Sequence, residues 1–164
     1  IPLTSLSARD RASIEKATTE FLGTMRARPD DGASHTNLAN FHMNQGNLQK
    51  ALESFESAIR VAPESVATLV NAALAYNLNG QNDKAEECLR QAVEEEPANP
   101  AANFNLGLLL GELGNTDEAK NALRTALKAE PDMAAAAYNL CVLEAQDNQI
   151  ERALKAMVGM PPWS

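Results

Sequence analysis

Positive charge is scarce in this chain. Fourteen lysines and arginines stand against 22 aspartates and glutamates, for a net charge of −8. A surface of that sign cannot neutralise a phosphate backbone, so nucleic acid is excluded as a partner class. Cysteine is scarcer still: Cys88 and Cys141 are too few for a disulfide framework and lack metal-type spacing. No phosphate loop, nucleophile elbow or zinc motif occurs, so neither catalysis nor a cofactor or metal is expected. Long apolar runs are missing too. A run such as Leu106 to Leu110 falls far short of the roughly 20 residues needed to cross a bilayer, and no membrane insertion is expected. The chain shows no basic-then-apolar leader, and it opens at Ile1 without an initiator methionine, which leaves room for a leader or an upstream domain. Both a cytoplasmic and a periplasmic location fit.

What the chain does have is a period. Gly46, Gly80 and Gly114 stand 34 residues apart, with Asn148 at the next step. Small residues keep the same register at Ala51, Ala85, Ala119 and Ala153, and again at Ala58, Ala92 and Ala126. Between them falls a larger residue: Phe55, Leu89, Leu123 or Met157. Pro63, Pro97 and Pro131 close three of the units. Glycine tolerates the left-handed backbone that stops a helix, asparagine is next most tolerant, and proline cannot continue a helix. Each unit therefore reads as helix, turn, helix, and a fixed period of this length predicts a stacked helical array.

Taken in order, Ser7 with Asp10 resembles a capping box. It opens a helix from Ala8 to about Arg28, with Ile14, Ala17, Phe21, Leu22 and Met25 at helical spacing and Pro29 after it. This is a half-unit, 8–31. Full units follow at 32–65, 66–99 and 100–133, then a partial unit at 134–161 and a tail at 162–164. One all-α domain over 1–164 is expected. Cys141 shares its register position with Ala39, Ala73 and Gly107 and is expected to be a small buried residue. His35 and His42 are expected to pack on the core side of their helix. They lie about 10 Å apart, too far to share a metal unaided.

The glycine turn, the paired small residues with a large one between, and the closing proline resemble the tetratricopeptide repeat. The resemblance covers 32 to about 158, and the half-unit extends it to about 12. The large aromatic often found early in the first helix is absent; His35, Leu69, Asn103 and Ala137 stand there. The resemblance implies a right-handed α-solenoid whose first helices line a concave groove, serving as a non-catalytic protein-interaction module.

The first helices carry two kinds of residue away from their predicted core stripe (Leu106, Leu109, Leu110 and Leu113 in the third unit). Apolar residues occupy that second face at Val70, Leu74, Phe104, Leu108, Tyr138 and Val142. A helix apolar on both sides is buried on both sides or binds something. Asparagines recur there every 34 residues, at Asn37, Asn71, Asn105 and Asn139, with Asn40 beside the first. Mid-helix asparagine is unfavourable by roughly half a kcal/mol relative to alanine, so repeating it suggests a use. Its amide offers a donor and an acceptor, the pair that holds a peptide backbone without reading side chains. No lysine or arginine lies in 32–49, 66–83, 100–119 or 134–151. Co-chaperone members of the family hold an acidic C-terminus with cations on their first helices; that chemistry is missing here.

The expected partner is thus an extended, largely neutral or apolar peptide, or a partner's helix. Two alternatives stay open. The chain is the repeat domain of a larger enzyme or electron-transfer protein, or it mainly associates with itself. The partial unit motivates the second, because Leu154, Met157, Val158 and Met160 would be partly bare. Trp163 and the tail are expected to fold back, to meet a second copy through 150–164, or to continue in a longer parent chain.

Overall fold

The computed structural model describes residues 7–27 and 31–158, with the side chains of 24–27, 153, 156 and 157 outside that description. Arg28, Pro29, Gly159, Met160, Pro161, Pro162 and Trp163 lie outside the described residues, as do the side chains of Met25 and Met157. The described residues form eight helices and no strand. They are α1 (Ala8–Ala27), α2 (Gly32–Asn44), α3 (Leu48–Val61), α4 (Val66–Leu78), α5 (Asn82–Glu95), α6 (Pro100–Glu112), α7 (Thr116–Ala129) and α8 (Ala134–Val158). The chain divides into two compact units, one ending at Glu96 and one beginning at Pro97.

The first unit holds α1 and two helical hairpins, α2 with α3 and α4 with α5. The Ser7 hydroxyl caps α1 by accepting from the Asp10 amide at 3.2 Å and donating to its carboxylate at 2.5 Å. In a capping box the acidic side chain would instead take the cap's backbone N–H. Phe21 of α1 meets Phe41 of α2 with ring centroids 5.6 Å apart. The second unit holds the α6–α7 hairpin, with α8 packed on α7.

The three hairpin turns share one backbone solution. Gly46, Gly80 and Gly114 have φ of 72°, 76° and 84°. In the first turn the Gly46 amide donates to the Met43 carbonyl and the Asn47 amide reaches back to His42, each at 2.9 Å. This is the Schellman pattern, which satisfies carbonyls a helix end leaves unpaired. The closing prolines act one residue upstream. Proline disfavours the α conformation in the residue before it, and Ala62, Glu96 and Glu130 leave the helix at nearly identical φ, ψ of −138°, 77°; −133°, 85°; and −136°, 85°.

Packing follows the register. Ala51, Ala58, Ala85, Ala92, Ala119 and Ala126 are fully buried, and Phe55, Leu89 and Leu123 lie buried between them. Burying each such large side chain contributes about 1.5–3 kcal/mol.

Two expectations about the partial unit are corrected. No turn forms at Asn148: α8 runs unbroken for 25 residues, and among the described residues none other than glycine adopts a positive φ. Asparagine in a helix costs only a few tenths of a kcal/mol more than an average residue, whereas its left-handed conformation is strained relative to glycine. Without a proline to force the issue, the helix continues. The second correction follows from the first. Ala39, Ala73 and Gly107 are buried in hairpins whose second helix packs back on the first. Among the described residues no second helix folds back on α8, and Cys141 is exposed. Cys88, by contrast, is buried.

Candidate interaction faces of the first helices

In the first unit, α2 and α4 are the first helices and touch one another. The Thr36 and Thr68 hydroxyls bond across them at 2.8 Å, and Thr68 also bonds the Ser65 hydroxyl at 2.9 Å. Beside this seam lie Asn37, exposed, with Asn40 and Asn71, both half-buried. Asn37 and Asn71 form no side-chain hydrogen bond among the described residues. Val70, expected on the open face, is buried at 7% exposure. Helix α4 has α2, α3 and α5 as neighbours and buries eight of its residues, so packing claims Val70. Leu74 stays 45% exposed. Leu78, one turn further on, is 67% exposed and was missed; its spacing of four from Leu74 was the available signal.

In the second unit, α6 and α8 are the corresponding pair. Asn105 donates its Nδ2 to the Ala101 carbonyl, and Asn139 does the same to Ala135, both at 2.8 Å. These bonds to the carbonyl four residues back fix each amide's rotamer on its own helix. Each leaves the Oδ1 acceptor and one N–H for another partner. Tyr138 is 69% exposed beside Asn139, and Val142 is exposed one turn on. Leu108 is half-buried. Phe104 packs in good part against Leu123, Ala126 and Ala136, so much of its ring serves the core. Leu113, expected in the core stripe, is exposed because it caps α6 just before the Gly114 turn.

A second kind of asparagine is also present. Asn103 is buried and donates to the Pro97 and Asn99 carbonyls at 3.0 and 2.9 Å. It ties the start of α6 together, and the Asn99 side chain caps the same helix by accepting from the Ala102 amide at 2.9 Å. Position within the helix, not residue type, separates this structural amide from those on the open face.

The histidines pack. His35 is buried, and His42 sets its ring edge-on to Phe41 at 5.8 Å. Burial, then the Lys50 charge, lower the His42 pKa. Among the described residues no three metal-ligating side chains gather, and no helix is long and apolar enough to cross a membrane.

Family models described as tetratricopeptide repeat match residues 30–94, 79–132 and 110–163. The chain belongs to the tetratricopeptide repeat family. Its fold is the all-α solenoid class of that family, built as a protein-interaction scaffold. Modules of this class ordinarily carry no catalysis. Solved structures share the fold. A crystal structure of MamA is similar at a TM-score of 0.77, with 18% identity over 90% of this chain and 86% of that one. The Sgt2 tetratricopeptide domain from Aspergillus fumigatus gives 0.70 at 25% identity, covering 80% and 85%. The first such domain of Spaghetti (RPAP3), solved bound to the HSP90 peptide SRMEEVD, gives 0.68 at 21% identity, covering 70% and 91%. No curated protein sequence matches this tetratricopeptide chain.

Proposed function

We propose that the first-helix faces bind an extended peptide, or a partner's helix, of largely neutral and apolar character. The observation that carries this reading is the arrangement on α6 and α8. Asn105 and Asn139 are held in one rotamer by their own helices, beside exposed Tyr138 and Val142. An amide already fixed in place loses little side-chain entropy when it grips a peptide group. Asn37, Asn71 and Asn40 with Leu74 offer the same pairing of amide and apolar surface on α2 and α4. Leu108 and the exposed part of Phe104 extend the apolar share on α6.

Charge selects among ligands. The RPAP3 domain's peptide, SRMEEVD, is acidic. Here no lysine or arginine lies in 32–49, 66–83, 100–119 or 134–151, so nothing beside these asparagines would offset a carboxylate cluster. The test is selection of peptides from a random library on the whole chain, followed by affinity measurement at low and high salt. Neutral, apolar-rich peptides whose affinity barely changes with salt are expected. Acidic peptides whose binding collapses in salt would overturn the reading.

A further inference from the structure

Helix α8 outruns the helix it packs on. Its Leu140 and Leu143 lie against the cluster of Leu123, Ala126 and Ala136. Further along the same side, Arg124 of α7 bonds Glu144 at 2.8 Å and Lys120 bonds Asp147. Helix α7 begins at Thr116, one turn beyond Lys120, whereas α8 continues from Asp147 to Val158. Ile150, Leu154 and Val158 prolong the stripe of Leu140, Leu143 and Asp147 at helical spacing, and all three are exposed. Along the border of this stripe Glu151 and Lys155 pair with one another at 2.7 Å, so the surface left over is apolar. Helices gain most of their stability from packing such a face, and the described residues leave this one open.

The chain supplies a cover of matching reach. Val158 is followed by Gly-Met-Pro-Pro-Trp-Ser, residues 159–164, which carry no charged side chain. Glycine ends a helix in the left-handed conformation, as Gly46, Gly80 and Gly114 do. The residue after such a glycine commonly packs back on an apolar side chain about one turn before the helix end. By that spacing the partner of Met160 is Leu154. Pro161 and Pro162 cannot extend the helix and favour an extended chain rising about 3.1 Å per residue. From Gly159 to Trp163 that rise is roughly 12 Å, equal to the distance from Val158 back to Ile150 at about 1.5 Å per helical residue.

We propose that residues 159–164 fold back along α8 as its cover, with Met160 against Leu154 and the Trp163 indole over Ile150. A separate chain is a poorer occupant. Three side chains fall far short of the roughly 800 Å² per partner of a standard interface. A tail joined at Val158 needs no such area, because a short linker holds it at high effective concentration. Tyr138 and Val142 lie on the opposite side of α8 by helical spacing, so the cover leaves them open and stands apart from the peptide reading.

Trp163 is the only tryptophan of the chain, so indole fluorescence of the whole chain reads the contact. The expected emission lies to the blue of the urea-unfolded chain and is quenched severalfold more slowly by acrylamide. Because the contact is intramolecular, both properties hold over a roughly hundredfold dilution. Leu154→Gln and Ile150→Gln, at positions already exposed, move the emission to that of the unfolded chain while the far-ultraviolet helix signal persists. Solvent-like emission in the intact chain, a blue shift that fades on dilution, or one that either variant leaves in place would overturn the proposal.

Discussion

Gly107 lies so close to Leu123 that a Cβ placed on it would come within 2.8 Å of Leu123 Cγ and 3.1 Å of the Ala119 carbonyl oxygen. Leu123 is fully buried and the carbonyl is backbone, so neither can yield cheaply. Gly107→Ala is therefore destabilising by about 1–3 kcal/mol through overpacking, despite alanine's better helix propensity. At Gly111 the nearest atoms would be 3.8–3.9 Å away, an ordinary contact. Gly111→Ala thus stabilises by up to about 1 kcal/mol. Urea unfolding of both variants checks the opposite signs.

Two asparagines two residues apart separate stability from binding. Asn103→Ala leaves the Pro97 carbonyl without its donor, while the Asn99 carbonyl keeps the backbone amide of residue 103, and costs about 1–3 kcal/mol in chemical denaturation. Asn105→Ala removes an exposed bond and restores helix propensity, so stability changes by no more than about 0.5 kcal/mol. Changing Asn105 and Asn139 together to alanine weakens a selected peptide about tenfold or more, as loss of two hydrogen bonds at about 1 kcal/mol each requires. Calorimetric titration reads it.

The repeats themselves were legible because their punctuation is local. A left-handed turn needs glycine and a helix stop needs proline, whatever surrounds them, and Gly46, Gly80, Gly114 and the three prolines behave alike. Asn148 was not legible, since its conformation depends on whether packing rewards a turn, and Cys141's exposure depended on Asn148 in turn. Val70 was misplaced for a similar reason, and Phe104 gives only part of its ring to the open face. A 100° face count separates the two sides of one helix, but not which neighbours press against it.

Tyr76 gives a pH dependence of known sign. Its hydroxyl donates to Glu56 at 3.3 Å, and burial foremost, then the Glu56 charge, push its pKa up to about 12. A pKa raised above the ordinary value of about 10 means the folded chain holds this proton more tightly than the unfolded one. The contribution is complete below about pH 10 and is lost as pH rises through about 12. Denaturation across that range should show a loss that Tyr76→Phe removes, and Glu56→Gln should bring the phenolate absorbance in at lower pH.

The turn glycines and Asn148 respond oppositely to substitution. Gly114→Ala forces a Cβ into the left-handed region and costs about 1–2 kcal/mol. Asn148→Ala sits in a continuous helix and stabilises it by a few tenths. Thermal unfolding distinguishes the two.

The binding reading rests on four side-chain amides. Their NH2 resonances can be followed by heteronuclear NMR while a selected neutral peptide is added. The account predicts that the signals of Asn37, Asn71, Asn105 and Asn139 move in proportion to occupancy, while those of Asn82 and Asn121 on the second helices stay still. Saturable binding that shifts the second-helix amides and leaves those four in place would contradict it.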